Sequence, residues 1–140
     1  MTDMNVIPYL TFGGNCEAAL KFYEKAFGGT IVHLSRYGGS PIEEMGANKD
    51  WVMHATFEAK GIKLFACDHT KHAAAGSEEG MIQLTINFEN AAEEEKVFEA
   101  MAEEGIVTMP LQDTFWGARF GMLKDKFGLN WMFSCEAQQS

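Results

Sequence analysis

Hydrophobic positions in the first part of the chain change from a strand-like to a helix-like spacing. Residues 5–12 form a strand-like apolar run that ends at a pair of glycines. Leu20, Tyr23 and Phe27 then fall at i, i+3 and i+7, which predicts a helix with one apolar face. Asn15 stands just before this helix and is suited to cap it, because its side chain can accept a bond from a free backbone N–H. A second pair of glycines predicts the end of the helix.

Three more strands are predicted after this helix. Lys60-Gly61 is a two-residue hairpin signal between the last two of them. The strand-like segments lie at residues 30–37, 51–59 and 62–68.

The same order of elements then returns in a weaker copy. Residues 82–104 repeat residues 7–29 at an offset of 75, and residues 133–136 resemble residues 65–68 at an offset of 68. In the second copy, Asn90 and Glu93 resemble a capping box. Strands are predicted at 81–88, 106–112, 117–124 and 129–135.

The repeat predicts an α+β fold of two βαβββ modules, residues 1–72 and 73–140, within one compact unit. The small and polar segment 69–80 is predicted to be a linker or a lid. Each helix can cover one face of its own sheet, so the other faces are expected to curve around a central cleft that holds a small molecule.

Composition and charge narrow the classes of partner. The net charge of −9 disfavours nucleic acid or an anionic membrane as a partner, because both require a basic surface. No apolar run approaches the ~20 residues of a membrane span. The three cysteines lack metal-site spacing, so a reduced, cytoplasmic protein is expected, with Cys67 and Cys135 in core strands.

Three segments resemble one branch of a known superfamily. Residues 8–23, 53–68 and 112–133 cover most of the chain, and the motifs Asp113-Thr114-Phe115-Trp116 and Asp125-Lys126-Phe127-Gly128 are the most specific. The chain resembles the PhnB-like branch of the vicinal oxygen chelate superfamily, which includes glyoxalase I, bleomycin-resistance proteins and extradiol dioxygenases. This resemblance implies paired βαβββ modules and a homodimer.

The resemblance also implies where a metal would be bound. Enzymes of the superfamily hold a divalent cation through one residue from each of four equivalent strands, and the matching positions in this sequence are Pro8, about Leu64, Gln83 and Met132. Only Gln83 can be a ligand. We therefore predict an incomplete site and assign no metal ligand or cofactor, with a divalent metal remaining possible through a displaced set drawn from His54, Asp68, Gln83 or Asp113.

The candidate ligand-binding residues come from two regions. His54 matches a histidine of the branch and is the candidate proton-transfer residue, although a structural histidine bonded to backbone is the alternative. Polar alternation on one strand indicates a binding face, and aromatic rings beside one carboxylate and one guanidinium suit a planar or anionic molecule. The predicted binding residues are Gln83, Thr85, Asp113, Phe115, Trp116, Arg119 and Met132.

Three functional hypotheses follow from these features. The leading one is a glyoxalase- or bleomycin-resistance-type protein that binds a small organic molecule without a complete metal site. The alternatives are a metal-dependent lyase or dioxygenase and a non-catalytic, drug-sequestering protein. Some members of the branch are labelled ubiquinone-pathway methyltransferases, but this sequence lacks the Gly-rich loop of a nucleotide-binding βαβ unit.

Overall fold

The chain folds into two compact units, Met1–Ala75 and Gly76–Ser140. The structure is a computed structural model that describes residues 4–43, 48–70 and 83–136. The first unit contains β1 (Tyr9–Phe12), α1 (Cys16–Phe27), β2 (Thr30–Arg36), β3 (Val52–Ala59) and β4 (Ile62–Asp68). The second contains β5 (Leu84–Phe88), α2 (Ala91–Ala102), β6 (Ile106–Asp113), β7 (Ala118–Lys124) and β8 (Asn130–Glu136).

Both units have the same sheet topology. The strand orders are β1-β4-β3-β2 and β5-β8-β7-β6, with the first pair of each parallel and the others antiparallel. The predicted α+β fold of two βαβββ modules is therefore confirmed, and both sheets are open rather than closed. The first strand is shorter than the predicted 5–12. Most of the predicted linker, 69–80, lies outside the described residues.

Each helix covers one face of its own sheet. Leu20 and Tyr23 of α1 are fully buried, and the Phe27 ring packs edge-on against Phe57 of β3 at 5.8 Å. In the second unit, Phe98 of α2 packs edge-on against Phe133 of β8 at 5.0 Å. Within the described part of the chain, no helix has the length and apolar character needed to cross a membrane.

The two helices begin in different ways. Asn90 caps α2 as predicted, because its side chain accepts a 3.1 Å bond from the Glu93 amide. The same prediction for Asn15 is wrong, since its side chain makes no capping bond. The carboxylate of Asp68, at the end of β4, instead accepts bonds from the amides of Gly14 at 2.8 Å and Cys16 at 2.9 Å.

This difference predicts unequal effects of two matched substitutions. Asn90→Ala should lower the free energy of unfolding by about 1 kcal/mol, the usual contribution of a side-chain cap. Asn15→Ala should change it by less than about 0.5 kcal/mol, because the Asn15 side chain makes no capping bond that the substitution could remove. Urea unfolding of both variants checks the prediction, and equal losses would contradict it.

Candidate functional site

The face of the first sheet away from α1, which we call the first open face, bears the side chains of Tyr9, His54 and Phe65. Thr56 of β3 and Phe65 of β4 are directly paired, on the side opposite to Phe57 and its neighbour Leu64. The His54 ring lies 5.2 Å from the Phe65 ring and 5.7 Å from the Tyr9 ring. His54 is thus placed by β3 on an aromatic surface built by β1 and β4.

Tyr9 and His54 form a hydrogen-bonded pair on this face. The Tyr9 hydroxyl lies 3.0 Å from His54 Nδ1. Burial of the hydroxyl, with a smaller effect of Cys67, raises the pKa of Tyr9 to about 12. The phenol therefore keeps its proton at neutral pH. The partner of His54 Nδ1 is thus a side chain and not a backbone group.

The corresponding face of the second sheet, the second open face, holds three of the predicted binding residues. Met132 of β8 is paired with both Thr85 and Met122, on the side opposite to Phe133 and α2. Trp116 lies in the β6–β7 turn with its ring 5.8 Å from that of Phe120. Two other predicted residues are exposed at the margins of this unit: Gln83 precedes β5, and the Phe115 side chain is 97% exposed.

Asp113 and Arg119 do not lie on the second open face. They are directly paired between β6 and β7, so their side chains share one side of the sheet. Arg119 reaches α2, where its Nε lies 3.9 Å from Glu94 Oε1 and its guanidinium lies 3.7 Å from Glu95 Oε2. The predicted cluster of aromatic and charged residues is therefore divided between the two sides of the sheet.

A pocket of about 630 Å³ lies on this helix side of the second unit. It is formed by the start of α2, the β6–β7 hairpin and the end of β8. We call it the helix-side pocket. Its walls are Asn90, Ala91, Ala92, Asp113, Thr114, Gly117, Ala118, Arg119, Cys135 and Glu136.

The two most specific sequence motifs fold into turns. Thr114 to Gly117 form the β6–β7 turn, where the Thr114 hydroxyl donates to the Ala118 carbonyl at 2.7 Å. Asp125 organises the β7–β8 turn, because its carboxylate accepts bonds from the amides of Phe127 and Leu129 and from the Trp131 indole. The second motif thus stabilises the fold.

Strand pairing changes three of the four predicted metal-ligand positions: Pro8 and Leu64 each shift by one residue, Gln83 shifts by two, and Met132 is retained. Phe12 ends β1 opposite Asp68, and Phe88 ends β5 opposite Cys135. Phe12 therefore corresponds to Phe88, at an offset of 76 in place of the predicted 75, and Asp68 corresponds to Cys135. The offset between β4 and β8 is therefore 67, and the predicted 68 is wrong, because it places Leu64, a core residue 3% exposed, on Met132. The equivalent positions on the two open faces are Tyr9, Phe65, Thr85 and Met132.

These four side chains do not fit the metal site of the superfamily enzymes. A phenylalanine and a thioether offer no oxygen or imidazole donor to a hard divalent cation. Of the displaced ligands considered, Asp68 already accepts three backbone bonds on the helix side, away from His54. Across residues 4–43, 48–70 and 83–136, no group of three or more His, Cys, Asp or Glu side chains could hold one ion.

Several contributors to these sites were not predicted. Tyr9 and Phe65 could have been found from strand alternation. The predicted offset of 68 assigned Leu64 to the open face, however, so that Phe65 was not recognised as sharing the face of His54. Glu94 stands in a run of three glutamates, which suggests a solvated helix, yet it is fully buried. The presence of Cys135 at the position equivalent to Asp68 could have been found only with the correct register.

Comparison with known proteins places the chain in a family. Residues 4–134 match the family model described as 3-demethylubiquinone-9 3-methyltransferase. Protein PA1353 from Pseudomonas aeruginosa is 39% identical, with a TM-score of 0.82 over 97% of this chain and 100% of that one. A putative 3-demethylubiquinone-9 3-methyltransferase, PhnB protein, from Bacillus cereus is 27% identical, with a TM-score of 0.74 over 94% and 99%.

The fold also extends to a more distant structure. A glyoxylase/bleomycin resistance protein/dioxygenase domain from Frankia sp. EAN1pec is 11% identical, covers 100% of this chain and 96% of its own, and has a TM-score of 0.69. That similarity concerns the fold alone. The family match over residues 4–134 shows that the chain belongs to the PhnB-like family whose model is described as 3-demethylubiquinone-9 3-methyltransferase, and its fold is that of the glyoxalase/bleomycin resistance/dioxygenase domains.

Proposed function

We propose that the protein binds a small organic carbonyl compound on the first open face and removes a proton from the carbon next to its carbonyl group. The observation that supports this proposal is the 3.0 Å hydrogen bond between the Tyr9 hydroxyl and His54 Nδ1. It combines an imidazole, the side chain best suited to proton transfer near neutral pH, with a protonated phenol.

In the proposed reaction, His54 accepts the proton that leaves carbon, and Tyr9 uses its own proton to bond the carbonyl oxygen. The phenol oxygen can accept a hydrogen bond from Nδ1–H of His54, which leaves the Nε2 lone pair free to take a proton from the ligand. The imidazolium formed in that step retains the same bond to Tyr9. The electron pair of the broken C–H bond moves to the carbonyl oxygen, where the Tyr9 O–H can donate a hydrogen bond to the developing charge.

The surrounding surface supports a flat ligand. The Phe65 ring lies 5.2 Å from His54 and 6.0 Å from Tyr9, at tilted and edge-on angles. An enolate is planar and delocalised, so it can pack against such rings while its oxygen reaches the phenol. His33 lies farther off, with its ring 6.1 Å from that of His54, and we assign it no role in the reaction.

Replacement of His54 is expected to cause a large loss of proton exchange. Small ketones, keto acids and aldehydes are incubated with the protein in D2O, and deuterium incorporation is followed by proton NMR. For a compound that exchanges with the wild type, His54→Gln should slow the exchange by about 10²-fold or more, the usual contribution of a general base. Tyr9→Phe should also slow it by about 10²-fold through loss of the oxygen's hydrogen-bond donor.

His33→Gln is the matched control, because it removes a neighbouring imidazole and should leave the rate unchanged. Equal rates in the wild type and His54→Gln would sink the proposed role of the pair. Thermal stabilisation by compounds that never exchange would favour the sequestering, non-catalytic alternative.

The cellular compartment and the oligomeric state proposed for the protein are those expected from the sequence. The three cysteines in the described residues are buried free thiols, which is compatible with a reducing, cytoplasmic environment. A homodimer is expected from the family. The side chains of Phe65 and Met132 at the equivalent positions argue against the metal-dependent alternative, because neither suits a hard cation.

A further inference from the structure

The helix-side pocket is a second candidate binding site, on the opposite side of its sheet from the second open face. We propose that it binds a small zwitterion with the charge arrangement of an α-amino acid, with the carboxylate at the start of α2 and the ammonium group at Asp113. The inference does not depend on the reaction proposed for Tyr9 and His54.

The first unit shows how a carboxylate is bound at the equivalent place. Asp68 lies at the end of β4, and its Oδ1 accepts bonds from the amides of Gly14 and Cys16 at the start of α1, at 2.8 and 2.9 Å. Its Oδ2 accepts a third bond from Val52 at 3.0 Å. The first unit therefore fills this position with a carboxylate of its own.

The second unit has no carboxylate at the equivalent position. Cys135 takes the place of Asp68, and burial raises the pKa of its thiol, so it supplies no negative charge. Asn90 serves the amides of Glu93 and Glu94 through its side chain and its carbonyl. The amides of Ala91 and Ala92 have no acceptor within the helix, and both residues line the pocket.

Arg119 adds a donor to the pocket wall. Its Nε is buried and has no hydrogen-bond partner among the described residues, because Glu94 Oε1 at 3.9 Å is too distant. Glu94 itself is fully buried, and neither of its carboxyl oxygens has a donor there. Burial raises the pKa of Glu94, against the opposing effect of Arg119. The guanidinium of Arg119 also lies 3.7 Å from the exposed Glu95, and its buried Nε–H is the donor left for a ligand.

Asp113 restricts the carboxylate-bearing ligands that the helix-side pocket can bind. Its carboxylate shares the side of the sheet with Arg119, lines the pocket and makes no ion pair within the described residues. A simple anion would be repelled by Asp113, and a simple cation would be repelled by Arg119 and the positive end of the helix. A molecule with a carboxylate beside an ammonium group satisfies both sides.

The test is an NMR titration of the ¹⁵N-labelled protein with the twenty standard amino acids, acetate and methylammonium. At least one amino acid should shift the Ala91 and Ala92 amide signals saturably. The acid without the amino group, and the amine without the carboxylate, should each bind at least tenfold more weakly. The proposal is overturned if no amino acid shifts these amides, or if the deaminated acid binds as tightly as the amino acid.

Two variants separate the two halves of the site. Arg119→Gln should weaken amino-acid binding at least tenfold. Asp113→Asn, a substitution at an exposed residue, should also weaken amino-acid binding at least tenfold but should not weaken binding of the acid that lacks the amino group. Asp50→Asn removes an exposed carboxylate elsewhere and serves as the control. Unchanged amino-acid affinity in Asp113→Asn, whose fold is not expected to suffer, contradicts the proposal even if Arg119→Gln fails to fold.

Discussion

Asp68→Ala is expected to lower the free energy of unfolding by about 3–5 kcal/mol, among the largest effects of any single substitution in the first unit. The carboxylate is 1% exposed and accepts three backbone bonds, from Gly14, Cys16 and Val52. Its removal leaves buried N–H groups without an acceptor, and each such group costs roughly 1–3 kcal/mol. Urea unfolding followed by tryptophan fluorescence measures the loss.

Two further variants show whether the lost hydrogen bonds of Asp68 cause the effect. Asp50→Ala removes an exposed carboxylate and should change stability by less than about 0.5 kcal/mol. Asp68→Asn keeps the shape but presents an NH2 group to one or more amides, so it should recover only part of the loss. If Asp68→Ala were as stable as Asp50→Ala, the carboxylate would have no role in joining α1 to its sheet.

The second large effect is expected at Asp125 in the second unit. Asp125→Ala should lower the free energy of unfolding by about 3 kcal/mol, because it removes the acceptor of three buried or part-buried bonds at once. The carboxylate is 3% exposed and accepts bonds from the Phe127 amide at 2.8 Å, the Leu129 amide at 3.1 Å and the Trp131 indole at 2.8 Å. The β7–β8 turn and the core residue Trp131 therefore depend on one side chain.

A double-mutant cycle separates the contribution of the bond between Asp125 and the Trp131 indole from that of the bonds within the β7–β8 turn. Trp131→Phe removes the N–H donor, so Asp125→Ala and Trp131→Phe together should cost at least about 0.5 kcal/mol less than the sum of the single variants. Strict additivity of the two losses would show that the bond between Asp125 and Trp131 contributes nothing to stability.

The sequence predicted the elements well because they depend on local patterns. The 3.6-residue spacing of Leu20, Tyr23 and Phe27 and the Gly61 hairpin signal are properties of short segments, and the structure reproduces both elements. The start of α1 could not be predicted in the same way. The amides of Gly14 and Cys16 are bonded to Asp68, more than 50 residues later, and a local preference such as that of Asn15 does not report such a partner.

The candidate sites were predicted less well because they depend on which side of a strand a residue occupies. A shift of one residue moves every side chain of a strand to the other face. The offset of 68 therefore paired Leu64 with Met132, although Leu64 faces α1 and Phe65 faces His54. His54 was identified without its partner Tyr9, and Arg119 without the buried Glu94, since both contacts join separate elements of the chain.

The proton-transfer role of the first open face is tested most directly on the His54 imidazole itself. Long-range ¹H–¹⁵N NMR of the labelled protein, recorded with and without a compound that exchanges deuterium, reports the state of Nδ1 and Nε2. We expect that a saturating ligand changes the Nε2 signal of His54, that Tyr9→Phe alters the Nδ1 signal, and that the signals of His33 change much less. Unchanged His54 signals under saturating ligand would contradict the assignment of the first open face as the site of proton transfer.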